Sequence, residues 1–484
     1  MPIDHSTTDA PPGENGPSRL KVSLGYALMV AATVAGFLVI RSLGESIAAS
    51  PAAGGGAFGR AQSERGVDTL LHVLLALVVV IVTARLLGAV FKHLGQPPVI
   101  GEVLAGILLG PSLLGRVAPE VASYLLPVSV APHFSVLAQV GVILYMFLVG
   151  LDLDTRALRQ GTHVTVAISH ASIITPFLLG AALALWVYPR LSSEDVPFTV
   201  FALFMGVSMS VTAFPVLARI LTDRGMQRTR LGVTALTCAA VGDVTAWCLL
   251  AFVVSVVHAR LGGAVATIAG TVAYIAFVFV VLQPLVRRLA ARVDRTGQLT
   301  QPVVAAVVVG LLLSALTTEL IGIHAIFGAF LLGAVIPHDS VIAREMTHRL
   351  EHLVVVLLLP AFFGFTGMRT QIGLVSGAGQ WALCAAIVLV ACVGKFGGTA
   401  IAARLTGLDW RDACALGILM NTRGLMELIV LNVGLDLGIL SPTLFAMLVL
   451  MAIVTTVMTT PILQALTARE RHVERGAAPA AVAP

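Results

Sequence analysis

The sequence Ser208-Met-Ser-Val-Thr-Ala-Phe-Pro-Val-Leu-Ala-Arg219 places a proline inside an apolar segment at about 196–222. Pro215 has no backbone N–H, so it leaves the carbonyl group of Val211 without its helical partner. The interruption therefore predicts a broken membrane helix whose unwound backbone offers free carbonyl oxygens. An ordinary proline kink is the alternative.

A second interruption, Met420-Asn-Thr-Arg-Gly-Leu-Met-Glu427, lies in the apolar segment at about 409–434. Asn421, Thr422 and Gly424 weaken a helix there. Paired interruptions in corresponding segments indicate a transporter site near the middle of the membrane, because unwound carbonyls can coordinate a cation.

The composition excludes a soluble protein. Of 484 residues, 57% are hydrophobic and only 11% are charged, whereas a soluble domain has about a quarter of its residues charged. The five Cys residues all lie in apolar segments, which excludes a secreted disulfide scaffold. The chain is therefore expected to be a multi-pass protein of a lipid bilayer.

Fourteen long apolar segments follow one another without the alternation typical of strands, so each predicts a helix. Setting the first aside, the remaining thirteen divide into six, one and six, and the two sets of six have opposite orientations. This arrangement predicts an all-α polytopic membrane protein with inverted six-helix repeats. The expected parts are a disordered tail (1–18), an extra transmembrane helix (19–44), a Gly/Ala-rich external linker (45–68), the first repeat (69–257), a linker helix with an inner loop (258–298), the second repeat (299–467) and a short cytoplasmic tail (468–484).

The distribution of basic residues predicts the orientation. If the C-terminus is inside, nineteen Lys and Arg residues fall on the inner side and seven on the outer side. This bias follows the positive-inside rule and predicts a cytoplasmic C-terminus. The expected location is the plasma (inner) membrane. The first segment, 19–44, could alternatively be a signal peptide. Because the tail after residue 467 is short, a cytoplasmic regulatory subunit would be a separate chain.

Charged residues within apolar segments include four candidates for the transport site. Asp243 is near the middle of its segment, and a carboxylate there is expected to be functional because burying it in lipid is costly. It can hold either a proton or a cation, and this competition is the minimal chemistry of an antiporter. Lys395 is its candidate partner, while Arg423 and Glu427, four residues apart, can pair with each other.

Other chemistries find no support in the sequence. No motif for ATP binding, a catalytic triad or haem attachment is present, and no His, Cys and Asp cluster has metal-site spacing. We therefore expect neither an enzyme nor a cofactor, and no nucleic-acid partner.

Several motifs resemble those of the monovalent cation:proton antiporter-2 family, which includes Kef-type and plant cation/proton exchangers. The matching stretches cover about 70–467 and occur in the family's order. They are Gln96-Pro-Pro-Val-Ile-Gly-Glu-Val-Leu-Ala-Gly-Ile-Leu-Leu-Gly-Pro-Ser112, Phe147-Leu-Val-Gly-Leu-Asp152, Ser210-Val-Thr-Ala-Phe-Pro-Val-Leu-Ala-Arg219, Asp243-Val-Thr-Ala-Trp-Cys248 and Gly417-Ile-Leu-Met-Asn-Thr-Arg-Gly-Leu-Met-Glu-Leu-Ile-Val430.

The resemblance implies a sodium/proton-antiporter fold, with a panel-like dimerisation domain and a six-helix core that contains two crossed, discontinuous helices. It implies a homodimer in which Asp243 carries the cation and the proton. Thr212 and the adjacent unwound backbone would line the site, and Lys395 would be the basic residue opposite the carboxylate.

One position departs from the family pattern. Many relatives carry Asp, Asn or Gln immediately before the key Asp, and this chain has Gly242. Without a second carboxylate, the expected exchange is electroneutral, with one cation for one proton.

The sequence thus predicts a secondary active K+ or Na+:proton antiporter that works by alternating access. Three alternatives stay open: a K+ efflux system gated by a partner subunit, a non-transporting membrane sensor on the same fold, and an exporter of an organic or ionophore-bound substrate. A shared fold does not decide among these alternatives, because one fold can serve several functions.

Overall fold

A computed structural model describes residues 19–45, 69–127, 130–152, 163–227, 229–258 and 264–476. The predicted disordered tail and nearly all of the external linker, together with residues 477–484, lie outside this part of the chain. The described residues form α-helices, short helical turns and loops.

The helices of the first half run up to residue 258. They are α1 (Arg19–Gly44), α2 (Thr69–His93), α3 (Pro98–Leu109), α4 (Leu114–Val117), α5 (Pro119–Leu125), α6 (Ala131–Leu151), α7 (His163–Leu191), α8 (Phe198–Ser210), α9 (Phe214–Asp223) and α10 (Arg230–His258).

The remaining helices include three that continue through a π-helical turn into the next. They are α11 (Ala264–Phe277), α12 (Gln283–Thr296), α13 (Gln301–Ile321), α14 (Ala325–Val335), α15 (Val341–Leu353), α16 (Leu359–Arg369), α17 (Gly377–Cys392), α18 (Gly398–Leu405), α19 (Trp410–Met420), α20 (Leu425–Asp436) and α21 (Pro442–Gly476). The π turns are Val278–Leu282, Val354–Leu358 and Val393–Gly397.

Within the described residues, eleven helices are long and apolar enough to cross a membrane, or twelve if α19 and α20 are taken as one bent span. The sequence predicts fourteen apolar segments. The count is lower because α14 has only 11 residues and the described apolar part of α1, Leu28–Gly44, is also short. The chain is thus an all-α polytopic membrane protein.

The helices pack in two groups. The first group contains α2, α3, α6 and α13 to α16, and the second contains α7 to α10 and α17 to α21. Between the groups, Arg369 of α16 forms an ion pair of 2.7 Å with Asp436 of α20 and donates to Asn432 at 3.1 Å. A second polar contact between the groups involves Gln96, which lies between α2 and α3. Its side-chain amide donates to the Val457 carbonyl of α21 at 3.2 Å.

The contact pattern of the first group repeats between the two halves. Helix α3 packs against its neighbour α2 and against α16 of the other half, while α14 packs against its neighbour α13 and against α6 of the other half. This reciprocity is the pattern that inverted repeats produce. The division of the chain at residues 257 and 299 stays a prediction.

Glycines permit both cross-half contacts. A Cβ atom on Gly333 of α14 would lie 2.3 Å from the Phe147 carbonyl oxygen of α6. A Cβ atom on Gly110, which directly follows α3, would lie 2.8 Å from the Met368 Cα atom of α16. Small residues let the helix backbones approach this closely, and close packing is a main source of helix association in lipid.

We expect Gly333→Ala to destabilise the protein by about 1–3 kcal/mol, because its methyl group would overlap backbone atoms of α6. Thermal denaturation of the detergent-purified protein would measure the loss. The matched control is Gly379→Ala on α17, where no atom lies within 4 Å of the new methyl group. Equal melting temperatures for the two variants would contradict the packing argument.

Candidate functional site

The two interrupted helices meet at their breaks. Helix α8 ends at Ser210, and α9 begins at Phe214 after an extended stretch in which Val211 has φ −64° and ψ 140°. The Ala213 N–H donates to the Thr422 carbonyl at 3.0 Å, and the Thr212 hydroxyl donates to the Met420 carbonyl at 3.3 Å. The two unwound segments therefore provide hydrogen-bond partners for some of each other's backbone groups.

Pro215 lies in the first turn of α9. Its missing N–H is harmless there, because the first N–H groups of a helix have no intrahelical partner. The proline thus begins a second half-helix, and the structure differs from the ordinary kink that was the alternative.

The second break bends the chain by 45° between α19 and α20. Asn421, Thr422 and Arg423 lie in it, all buried, and Gly424 closes it. A Cβ atom on Gly424 would lie 2.7 Å from the Val216 side chain of α9, so a larger residue would push the two breaks apart.

Two buried, positively charged side chains lie at the C-terminal end of α8. The Arg423 guanidinium donates to the Ser208 carbonyl at 2.8 Å and to the Met209 carbonyl at 2.6 Å. The Lys395 ammonium donates to the Ser210 carbonyl. The last carbonyls of a helix lack intrahelical partners and carry a partial negative charge, so cations are favourable there.

Glu427 balances one of these charges. Its carboxylate lies 2.7 Å from the Arg423 guanidinium, and both side chains have 0% exposure. It also sits in the first turn of α20, where a negative charge complements the helix dipole. Thr456 of α21 holds the Arg423 backbone, since its hydroxyl lies 2.7 Å from the carbonyl oxygen and accepts the N–H at 3.0 Å.

Lys395 lies in the π-helical turn between α17 and α18 and is fully buried. Glycines on either side bring this turn against α7: a Cβ atom on Gly394 would lie 2.9 Å from Pro176, and one on Gly398 would lie 2.6 Å from Thr175. Two adjacent glycines, Gly397 and Gly398, follow Phe396 in the sequence, and small residues of this kind allow close helix approach. Gly398 makes such a contact, but Gly397 has open space around it.

Asp243 lies near the middle of the 29-residue helix α10, with 5% exposure. Its Oδ1 atom has no hydrogen-bond partner. The backbone N–H of Phe214, at the start of α9, faces its carboxyl group. The positive end of a half-helix therefore points at the carboxylate.

Lys395 and Asp243 interact electrostatically, yet they form no direct ion pair among the described residues. The predicted pairing of these two side chains therefore stays a prediction. The ammonium group is directed to the Ser210 carbonyl instead.

Gly242 leaves room beside the carboxylate. A Cβ atom there would meet only the Ser169 hydroxyl of α7, at 3.8 Å. That hydroxyl donates to the Cys238 carbonyl at 2.9 Å.

The crossing carries further oxygen atoms without hydrogen-bond partners: Asn421 Oδ1, Thr422 Oγ1 and Ser208 Oγ. All three residues are buried in the second helix group. Oxygen atoms are the ligands that hard cations prefer. Among the residues that the structure describes, no three His, Cys, Asp or Glu side chains cluster as a metal site.

Sequence reasoning did not assign a role in the site to Ser208, Met209, Thr456 or Ser169. The first two contribute backbone carbonyls, which every residue possesses and no side chain marks. Thr456 and Ser169 each lie within an apolar segment, where such a hydroxyl usually bonds its own helix.

These features define a polytopic membrane transporter in which two broken helices cross beside a buried carboxylate. Residues 76–468 match the sodium/hydrogen exchanger transmembrane family. The chain belongs to that family.

Three relatives illustrate the similarity. The chain is 43% identical over 397 residues to the Na+/H+ antiporter NhaS4 of Synechocystis sp., which covers 82% of this chain and 97% of that protein. It is 38% identical over 408 residues to Cation/H+ antiporter 19 of Arabidopsis thaliana, with 84% and 51% coverage. It is 33% identical over 395 residues to K+/H+ antiporter 1 of Saccharomyces cerevisiae, with 80% and 46% coverage.

The chain therefore spans about half the length of the plant and yeast relatives. Among solved structures, the sodium proton antiporter MjNhaP1 of Methanocaldococcus jannaschii is similar with a TM-score of 0.53 and 14% identity, covering 83% of this chain and 97% of that one. This similarity supports the sodium/proton-antiporter fold.

We expect Glu427→Gln to destabilise the protein by about 3–5 kcal/mol, because it leaves the buried Arg423 charge uncompensated. The matched control is Glu345→Gln. Glu345 pairs with Arg349 at the same spacing, but its side chain is 46% exposed, and such pairs contribute only about 0–1 kcal/mol. Thermal denaturation in detergent would compare them, and similar losses would contradict the assigned role of Glu427.

Proposed function

We propose that this chain is a secondary active antiporter that exchanges a monovalent cation, K+ or Na+, for a proton. The observation that carries the proposal is the buried Asp243 carboxylate, whose Oδ1 lacks a partner while the adjacent helix end faces it. Such a group can release a proton when a cation binds and take one up when the cation leaves.

The charges around the crossing support an exchange of one cation for one proton. When all four groups are ionised, Asp243 and Glu427 balance Arg423 and Lys395. A proton on Asp243 or a cation beside it then adds the same single charge. Replacing one by the other leaves the charge of the site unchanged, and Gly242 adds no second carboxylate.

We propose that the Val211 carbonyl, Thr212 and the Asp243 carboxylate contribute ligands to the cation. Asn421 and Thr422, whose side-chain oxygens lack hydrogen-bond partners, border the same crossing. Pro215, Gly242, Arg423 and Glu427 support the site without binding the ion, and Lys395 holds the end of α8 and the charge balance.

Alternating access would come from movement of the second helix group against the first. Tight backbone packing holds α3, α6, α14 and α16 together, whereas side chains make the contacts between the groups described above, and the rings of Trp247 and Phe327 add an apolar contact. The ion pair between Arg369 and Asp436 would open as Asp243 turns to the other side of the membrane.

The names of the relatives support cation/proton exchange. One relative is a Na+/H+ antiporter and another a K+/H+ antiporter, so both Na+ and K+ stay candidate substrates. We further propose a homodimer in the plasma membrane with a cytoplasmic C-terminus. The chain would act without a cofactor or enzymatic step.

We expect Asp243→Asn to abolish cation-dependent proton movement, because an amide cannot carry a proton between the two sides. Purified protein in liposomes with an internal pH dye would receive Na+, K+, Li+ and Rb+ in turn. The control is Glu120→Gln, an exposed carboxylate on α5. The control should transport like the unaltered protein.

Proton movement that persists in Asp243→Asn would overturn the proposal. Cation flux without proton movement would instead favour a K+ efflux pathway that a partner gates. The absence of both fluxes in the unaltered protein would favour a sensor on this fold.

We expect transport by the unaltered protein to generate no membrane potential, because cation and proton exchange one for one. A potential-sensitive dye in the same liposomes would test this. In Gly242→Asp a second carboxylate fits beside Asp243, since the nearest atom to its Cβ is 3.8 Å away. That variant is expected to make transport respond to an imposed potential, and a potential generated by the unaltered protein would contradict the proposed stoichiometry.

A further inference from the structure

A cavity of about 440 Å³ lies away from the proposed ion site, between the linker helix α12 and helices α13 and α14. Its lining residues are apolar except for two arginines. The apolar lining includes Val286, Leu289, Val307, Gly310, Leu332 and Ile336, while Arg288 and Arg292 supply the polar side.

The two arginines form one basic edge. They are four residues apart on α12, so they share a helix face, and both are exposed. Neither forms an ion pair or a side-chain hydrogen bond within the described part of the chain. The nearby Asp294 carboxylate accepts the Val341 backbone N–H at 2.8 Å.

The cavity adjoins a surface suited to lipid. Val280, in the π turn before α12, is 73% exposed, and Leu285 at the cavity wall is 61% exposed. On the α13 side, Val309 and Leu313 are also exposed. Hydrocarbon rather than water is therefore the favourable neighbour of this face.

We propose that this cavity binds an anionic phospholipid of the inner leaflet. The guanidinium groups of Arg288 and Arg292 would bind the headgroup phosphate, for which their planar donors are well matched. An acyl chain would lie against Leu289, Val307 and Leu332. Basic pockets between transmembrane helices on the cytoplasmic side favour such headgroups, and the four arginines of α12 place this end inside.

The apolar lining distinguishes this ligand from a free anion. Two arginines alone would also attract inorganic phosphate, but most of the cavity wall offers it no hydrogen-bond donor. The cavity also opens onto an apolar surface, so an acyl chain can enter and fill it. A second copy of this chain is the competing occupant, and the experiment below separates the two.

The test compares Arg288→Ala/Arg292→Ala with Arg287→Ala/Arg295→Ala in the full chain. The second pair removes the same charge from the same helix but does not line the cavity. Delipidated protein would receive phosphatidylglycerol, phosphatidylcholine with identical chains, or inorganic phosphate. Thermal denaturation and native mass spectrometry would report stabilisation and retained lipid.

We expect phosphatidylglycerol to raise the melting temperature of the unaltered protein and of the control pair more than phosphatidylcholine does, and inorganic phosphate to leave it unchanged. Loss of charge-assisted hydrogen bonds should weaken phosphatidylglycerol binding by Arg288→Ala/Arg292→Ala about tenfold or more. A third variant, Gly310→Leu, keeps both arginines and fills the cavity, because only Leu332 lies near a new Cβ, at 3.7 Å. It should weaken lipid binding as well.

Four results would overturn the proposal. Equal losses in both arginine pairs would indicate a diffuse charge effect, and equal stabilisation by the two lipids would exclude headgroup recognition. Stabilisation by inorganic phosphate alone would indicate a free-anion site. A loss of dimer in Arg288→Ala/Arg292→Ala, with no lipid retained by the unaltered protein, would assign the face to a second copy.

Discussion

The centre of this protein depends on the contact between the buried guanidinium of Arg423 and the last carbonyl groups of α8. A membrane helix can stop halfway through the bilayer only if its last carbonyl groups find partners, because lipid offers none. Arg423 binds two of the final carbonyls of α8, and Lys395 binds the next. Glu427 then compensates the guanidinium charge, and Thr456 holds its backbone.

This arrangement also explains why Asp243 is available. The Lys395 ammonium and the Arg423 guanidinium both bind partners other than Asp243, so an incoming metal ion would not have to displace either group from a direct contact with the carboxylate. The Phe214 N–H at the start of α9 provides a fixed partial positive charge beside the carboxylate. Because that charge belongs to the backbone, it stays in place whether a proton or a cation neutralises Asp243.

The contacts within the first helix group differ in kind from the contacts between the two groups. Within the first group, backbone atoms meet at glycines such as Gly333 and Gly106, where even a methyl group does not fit. Packing of this kind has little freedom to slide. The groups contact each other through side chains, both polar, such as Arg369 with Asp436, and apolar, such as the rings of Trp247 and Phe327. Such contacts can break and re-form without disturbing a helix. The same difference would let one group move as a unit over the other.

The amino-acid sequence by itself determined the membrane class, the order of the apolar helices, the two breaks and the unusual carboxylate at Asp243. These features are local, because hydropathy, a proline or a charge within an apolar run is visible in a short stretch. The spacing of Arg423 and Glu427 is local too. What Lys395 binds was decided only by the tertiary structure: its acceptor, the Ser210 carbonyl, is 185 residues away in the chain. Arg423 similarly reaches Ser208, 215 residues away. Every residue has a backbone carbonyl, so no sequence pattern marks which one will lie at the end of a broken helix facing a cation.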